Sequence, residues 1–192
     1  MPNWCSTNIN IKCNDKVKLK EFYSKLEKWT SQNYCDNGFG LNWLGNVVGN
    51  SGIGTINTKT KTDLRCRGSI DYMDLTDDQI VLSTETAWGP MLKMWVKLLD
   101  KYLPEAEIIY ASEECGCGLY ATNDRMQEGV WFVDDFENDI YECMQTEELI
   151  PYLQNLLNSN ESNVDDLLQF AIENDYEVYA HQYEYVDINE WD

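Results

Sequence analysis

The chain has 192 residues, with 34 Asp and Glu against 14 Lys and Arg, for a formal net charge of −20. That length allows one well-filled core, or one domain with an appendage, and no run of eighteen apolar residues suggests a membrane span. The balance argues against direct nucleic-acid binding, because phosphate contact needs clustered Lys and Arg.

The charge is unevenly spread. Residues 1–60 hold seven basic and four acidic side chains, and residues 61–104 hold six and seven. Residues 105–192 hold 23 acids and a single basic residue, Arg125. Such segregation suggests either a face built for a cationic partner or simple solubility through like-charge repulsion. Met1-Pro2-Asn3-Trp4 lacks the basic start and apolar centre of a signal peptide, so the expected location is the cytoplasm. In that compartment seven irregularly spaced cysteines read as reduced, half-buried side chains.

In chain order, Asn3–Cys13 alternates, with Cys5, Thr7, Ile9, Ile11 and Cys13 on one face of a strand. Asn14-Asp15 signals a helix start, and Leu19, Phe22, Leu26 and Trp29 predict a helix over 15–31. Gln32–Arg67 is punctuated by Gly38, Gly40, Gly45, Gly49, Gly52 and Gly54. It reads as an irregular insertion (33–67) with one short strand at Gly54–Asn57. Its aromatics, Tyr34, Phe39 and Trp43 among them, either pin the loop to the core or grip a ligand.

Ser69–Leu75 alternates, Thr76-Asp77-Asp78 turns, and a strand from Gln79 stops at Gly89-Pro90. Proline suits the first turn of a helix, and Met91, Trp95, Leu98 and Tyr102 predict that helix up to Leu103-Pro104. Strands are expected at Glu107–Ser112, Leu119–Thr122 and Gly129–Val133, with a tight loop at Glu113–Gly118. The predicted class is α+β. The first six elements follow the β-α-β-β-α-β order of a ferredoxin-like split sandwich, carrying the insertion and a β-meander extension.

From Asp134 the chain becomes strongly acidic. Leu149, Leu153, Leu156 and Leu157 mark a helix beginning near Thr146 or, because of Pro151, later. Asn163 caps a last helix with an apolar stripe of Val164, Leu167, Leu168, Ala171 and Ile172. Asp165 and Asp166 suit its N-terminal dipole, whereas Glu173 and Asp175 oppose the dipole at the far end. Tyr176–Ile188 alternates, with Glu177, Tyr179, His181, Tyr183 and Tyr185 on one face, and predicts a closing strand. The expected division is a ferredoxin-like domain at 1–143 and an acidic helical extension, 144–192, packed on it.

The opening MPNWCSTNINI resembles that of the YubB-like family of phage and plasmid proteins, and Thr86-Ala87-Trp88-Gly89-Pro90 resembles that family's Thr-Ala-Trp-x-Pro segment. The resemblance covers residues 1 to about 133. It implies a ferredoxin-like domain and a mobile-element origin, and it carries no catalytic residues across.

Familiar chemistries are mostly missing from the sequence. His181 is the single histidine, has no nucleophile motif beside it and reads as structural. Cys115-Gly116-Cys117 is either a tight turn or, with Glu113, Glu114 and Cys66 or Cys143, half of a soft-metal site. Gly49–Gly54 lacks the Lys-Ser or Lys-Thr of a phosphate loop, and Asp134–Asp139 lacks the turn glycine of a calcium loop. No catalytic residue, metal or cofactor is therefore assigned.

What remains is the carboxylate array. Asp134, Asp135, Glu137, Asp139, Glu142, Asp165, Asp166, Glu173 and Asp175 are the expected partner-binding residues. Asp166 and Glu173 would stand about 10 Å apart on one helical face. The function expected from this array is a non-enzymatic mobile-element inhibitor of a host defence nuclease, anti-CRISPR or anti-restriction. It would act as a DNA mimic in the basic groove of a nucleic-acid-handling protein of the host cytoplasm. Two alternatives stay open: a small-ligand-binding or enzymatic domain using the 33–67 insertion, and a structural or assembly protein pairing through Tyr179, Tyr183 and Tyr185.

Overall fold

Period-two alternation near the N-terminus builds the centre of a sheet. In the computed structural model, which describes residues 3–35, 39–56, 64–127 and 129–191, Trp4–Lys12 forms strand β1. Cys5, Thr7, Ile9 and Ile11 are all buried on one of its faces. Asp15 caps the helix that follows, α1 (Lys16–Thr30), accepting from the backbone N–H groups of Val17 and Lys18 at 3.1 Å each. Its buried stripe of Leu19, Phe22, Leu26 and Trp29 is the one the spacing predicts.

The insertion departs from expectation. Leu44–Ser51 is a helix, α2, and Gly54–Ile56 is not a strand; Gly38 and Asn57 lie outside the described residues. Gly45 and Gly49, four residues apart, let aromatic rings reach the helix backbone. A Cβ at Gly45 would stand 2.3 Å from the Trp43 ring, and one at Gly49 would stand 2.3 Å from the Tyr34 ring. These glycines serve close packing rather than turning, so a glycine-rich segment here is helical.

Strands β2 (Gly68–Leu75) and β3 (Gln79–Ala87) form the predicted hairpin. Helix α3 (Leu92–Tyr102) follows, then β4 (Glu107–Glu114), a 3₁₀ turn at Cys115–Cys117, and β5 (Leu119–Thr122). The strands lie in the order β2-β3-β1-β4-β5, each paired antiparallel with its neighbour. The core combines Ile9, Ile11, Leu82 and Ile108 of the sheet with Phe22, Leu26, Val47, Trp95 and Leu98 of the helices.

Pro90 does not open α3 as expected. The helix starts at Leu92, behind a turn in which Trp88 has φ +72° and Met91 φ +48°. Left-handed backbone at a bulky residue costs about 1–3 kcal/mol and persists only where the surroundings enforce it. Here the N–H of Trp88 donates to the Asn3 carbonyl at 3.0 Å, and the buried Thr86 hydroxyl lies 2.7 Å from the Gly89 carbonyl and 3.2 Å from that of Cys5.

The chain divides into two compact units, Met1–Asn123 with Val186–Asp192, and Asp124–Tyr185. The division falls at Asp124 rather than at the expected 144. Within the first unit, the C-terminal segment is tied down by Tyr110. That hydroxyl donates to the Val186 carbonyl at 2.8 Å and accepts from the Trp191 indole N–H at 2.6 Å.

The second unit has its own sheet and core. Strands β6 (Trp131–Asp135) and β7 (Ile140–Met144) form a hairpin, helices α4 (Thr146–Leu157) and α5 (Val164–Glu173) follow, and β8 (Val178–Gln182) returns to pair with β6. The order is β7-β6-β8, all antiparallel. Val133, Leu149, Leu153, Leu167 and Ala171 fill the space between sheet and helices. The acidic stretch thus contains a strand, β7, that its composition concealed. Pro151 sits inside α4, and the expected stripe on α5 is narrower, because Ile172 is 61% exposed. The expected closing strand is interrupted at the buried Tyr183, after which Glu184–Tyr185 forms the short β9.

Candidate functional site

Sixteen of the chain's acidic residues and one basic residue, Arg125, fall in Asp124–Tyr185. The charge segregation seen in the sequence therefore coincides with a folded unit that has a core of its own. Asp134, Glu137, Asp139, Glu142, Asp165, Asp166, Glu173 and Asp175 have no ion-pair partner among the described residues. The ion pairs found there are those of Lys18 with Asp15 and Glu105, in the other unit.

The register sorts these side chains. On the face of the sheet away from the core residues, Asp134 stands directly between Tyr141 of β7 and Tyr179 of β8, which are 67% and 49% exposed. The next row holds Cys143, Phe132 and His181, and the Phe132 and Tyr141 rings meet edge-on at 4.7 Å. Glu137 and Asp139 lie in the β6–β7 turn, both exposed. Asp175 and Glu177 lie just ahead of β8, and the N–H of Phe136 donates to the Glu177 carbonyl at 3.3 Å. Two short connections therefore run side by side and gather Glu137, Asp139, Glu173, Asp175 and Glu177 at one end of the unit. Asp165 and Asp166 occupy the first turn of α5, at that helix's opposite end, and Glu142 lies on β7 opposite Val133.

Asp135 must be removed from the expected set. It is 2% exposed and its carboxylate is used internally. It accepts from the N–H groups of Glu137 (3.0 Å) and Asn138 (3.1 Å), from the Asn138 side chain (3.0 Å) and from the Tyr152 hydroxyl. Burial pushes the carboxyl's pKa up, but the hydrogen bonds from Tyr152, Asn138 and the two backbone groups outweigh it and hold the pKa below its ordinary value. The same contact works the other way on Tyr152, whose hydroxyl pKa is raised by burial and by the bond to Asp135. Asp135 thus builds the turn that presents Glu137 and Asp139. An Asp that accepts from backbone two and three residues on is a local turn signal, and it was readable in Asp135-Phe136-Glu137-Asn138.

Comparison with protein-family models, curated proteins and solved structures finds no match to this chain. Among the described residues, no three His, Cys, Asp or Glu side chains are grouped so as to hold a metal, and Cys117 accepts from the Asn3 amide at 3.4 Å. Nor is any helix there long and apolar enough to cross a membrane.

Carboxylates beside exposed tyrosines form a surface suited to Arg and Lys, which can pair with the acids while their cations lie over the rings. The tyrosines at 141 and 179, and Glu177, were not in the expected set. The alternation that predicts a strand shows that Tyr179 and His181 share a face, but only the pairing with β6 places Asp134 beside Tyr179.

Proposed function

We propose that the protein is a non-enzymatic inhibitor that docks the Asp124–Tyr185 unit into the basic nucleic-acid groove of a host defence nuclease, of CRISPR or restriction type. The observation that carries the reading is the concentration of unneutralised carboxylates on a unit with its own hydrophobic core. A fixed scaffold holds the charges at set spacings and steers association over long range. Asp134 with Tyr141 and Tyr179, together with the end formed by Glu137, Asp139, Asp175 and Glu177, is the contact surface in this reading. The motif resemblance noted above supplies a mobile-element setting, in which blocking such a nuclease is useful. For the first unit we infer a ferredoxin-like split sandwich, supported by the antiparallel order β2-β3-β1-β4 and by helices following β1 and β3.

The test is displacement of a labelled DNA duplex from purified CRISPR effectors and restriction endonucleases, repeated across a salt series. The protein should compete for at least one of them, with an affinity that falls steeply as salt rises. The quadruple variant Glu137→Gln, Asp139→Asn, Asp175→Asn, Glu177→Gln should keep its fold and lose about tenfold or more in affinity. Asn suits the positive φ of residues 139 (+56°) and 175 (+60°). Competition that persists unchanged at high salt, or in the quadruple variant, rules the reading out.

A further inference from the structure

The first unit holds a cavity of about 490 Å³ lined by arginine and aromatic side chains. Two of its lining residues are Arg65 and Arg67, and the chain contains only three arginines. Leu64, Cys66 and Gly68 are buried while Arg65 and Arg67 are exposed, an alternation that sends both guanidinium side chains to one side. At an extended rise per residue their Cα atoms stand about 7 Å apart. Among the described residues neither guanidinium has an ion-pair or hydrogen-bond partner, although the chain carries 34 carboxylates.

The remaining wall is aromatic. Phe39, 63% exposed, is backed by Trp43 with ring centroids 5.1 Å apart, and Trp88 is 58% exposed. Trp88 is also the residue held at φ +72°. A large indole in left-handed backbone, beside a Gly that would take that conformation freely, contributes little burial to the fold. Strain of this kind collects at ligand sites, where it fixes a side chain's aim. A second, smaller hollow of about 240 Å³ shares Arg65 and Trp88 and adds Glu190, whose carboxylate would repel an anion. The anionic end of a ligand therefore belongs on the Arg67 side.

We propose that this cavity binds a nucleoside phosphate, with its base stacked against Trp88 and Phe39 and its phosphate held by Arg65 and Arg67. Planar forks pair well with phosphate oxygens, open aromatic faces suit a base, and the volume lies within the usual range for such sites. A free nucleotide is favoured over a polynucleotide strand, which would bring many more negative charges to a chain of net charge −20. This site is independent of the acidic unit, so either proposal can fail without the other.

Isothermal titration calorimetry of the full chain tests it, with the mono- and diphosphates of adenosine, guanosine, cytidine and uridine as probes. Adenosine, inorganic phosphate and a single-stranded decanucleotide serve as the other arms. At least one nucleotide should bind with a micromolar dissociation constant, about tenfold or more tighter than adenosine or phosphate alone. Arg65→Gln with Arg67→Gln should weaken that binding by about tenfold or more. Trp88→Gly should weaken it similarly while leaving the melting temperature unchanged or higher, because glycine accepts the positive φ. The proposal is overturned if no nucleotide gives saturable heat at millimolar concentration, if the arginine pair or Trp88 can be replaced without effect on binding, or if Trp88→Gly melts much earlier. An arginine-dependent preference for the decanucleotide over every mononucleotide would overturn it equally.

Discussion

The hydroxyl of Tyr152 on α4 donates to the carboxylate of Asp135 at the end of β6, tying the acidic turn to the helix layer of its own unit. The bond fixes a proton on the phenol and a charge on the acid, and it makes this corner sensitive to acid.

The sign of that sensitivity follows from the lowered pKa of Asp135. The stabilisation is complete above the carboxylate's ordinary range and is lost as pH falls through the lowered native value. Asp135→Asn should remove about 2 kcal/mol or more at neutral pH, and should flatten the acid limb of a stability-against-pH curve. Urea unfolding across the acid range measures both effects. An unchanged acid limb in the variant would show that the bond does not set the pH response.

Sixteen carboxylates with one arginine repel one another even in the absence of a partner. Added sodium chloride should therefore raise the thermal midpoint, by roughly 2–4 °C for each kcal/mol of repulsion removed. Amide exchange should slow most in β6 and β8. Stability indifferent to salt would mean that the charges lie too far apart to interact.

Thr86→Val keeps the shape of the side chain but removes the donor that reaches the carbonyls of Gly89 and Cys5. The expected loss is about 1–2 kcal/mol, read by chemical denaturation. Because this hydroxyl helps hold Trp88 at positive φ, Trp88→Gly should recover part of the loss in the double variant. Strictly additive effects would show that the two residues are uncoupled.

Tyr110→Phe leaves the Val186 carbonyl without its donor and the Trp191 indole N–H without its acceptor. About 1–3 kcal/mol should be lost, and limited proteolysis should release the residues after 186 sooner than in the unaltered protein. Equal cleavage rates would show that the segment is held by other contacts.

Local periodicity decided much of the architecture. The strand at Trp4–Lys12, the capped helix Lys16–Thr30, the hairpin of Gly68–Leu75 with Gln79–Ala87 and the helix begun by Asn163 are each written in spacings of two, three or four residues. Charge segregation was equally plain, since it needs no coordinates. Composition misled where one residue type serves two purposes. Gly45 and Gly49 pack against rings inside a helix, and the acids of 134–142 conceal a hairpin.

The roles of individual side chains were decided by contacts distant in sequence. Asp134 and Asp135 are neighbours of the same type, yet pleating sends one beside Tyr141 and Tyr179 and turns the other towards Tyr152. Arg65 and Arg67 gain meaning only when the turn after β3 brings Trp88 to the same cavity, across some twenty residues of chain. A sequence determines which surfaces can be apolar, which can be charged and where the backbone must turn, because those preferences act over a few bonds. Which carboxylate faces solvent, and which cation is left without a partner, depends on packing between elements, and that is set only when the tertiary structure forms.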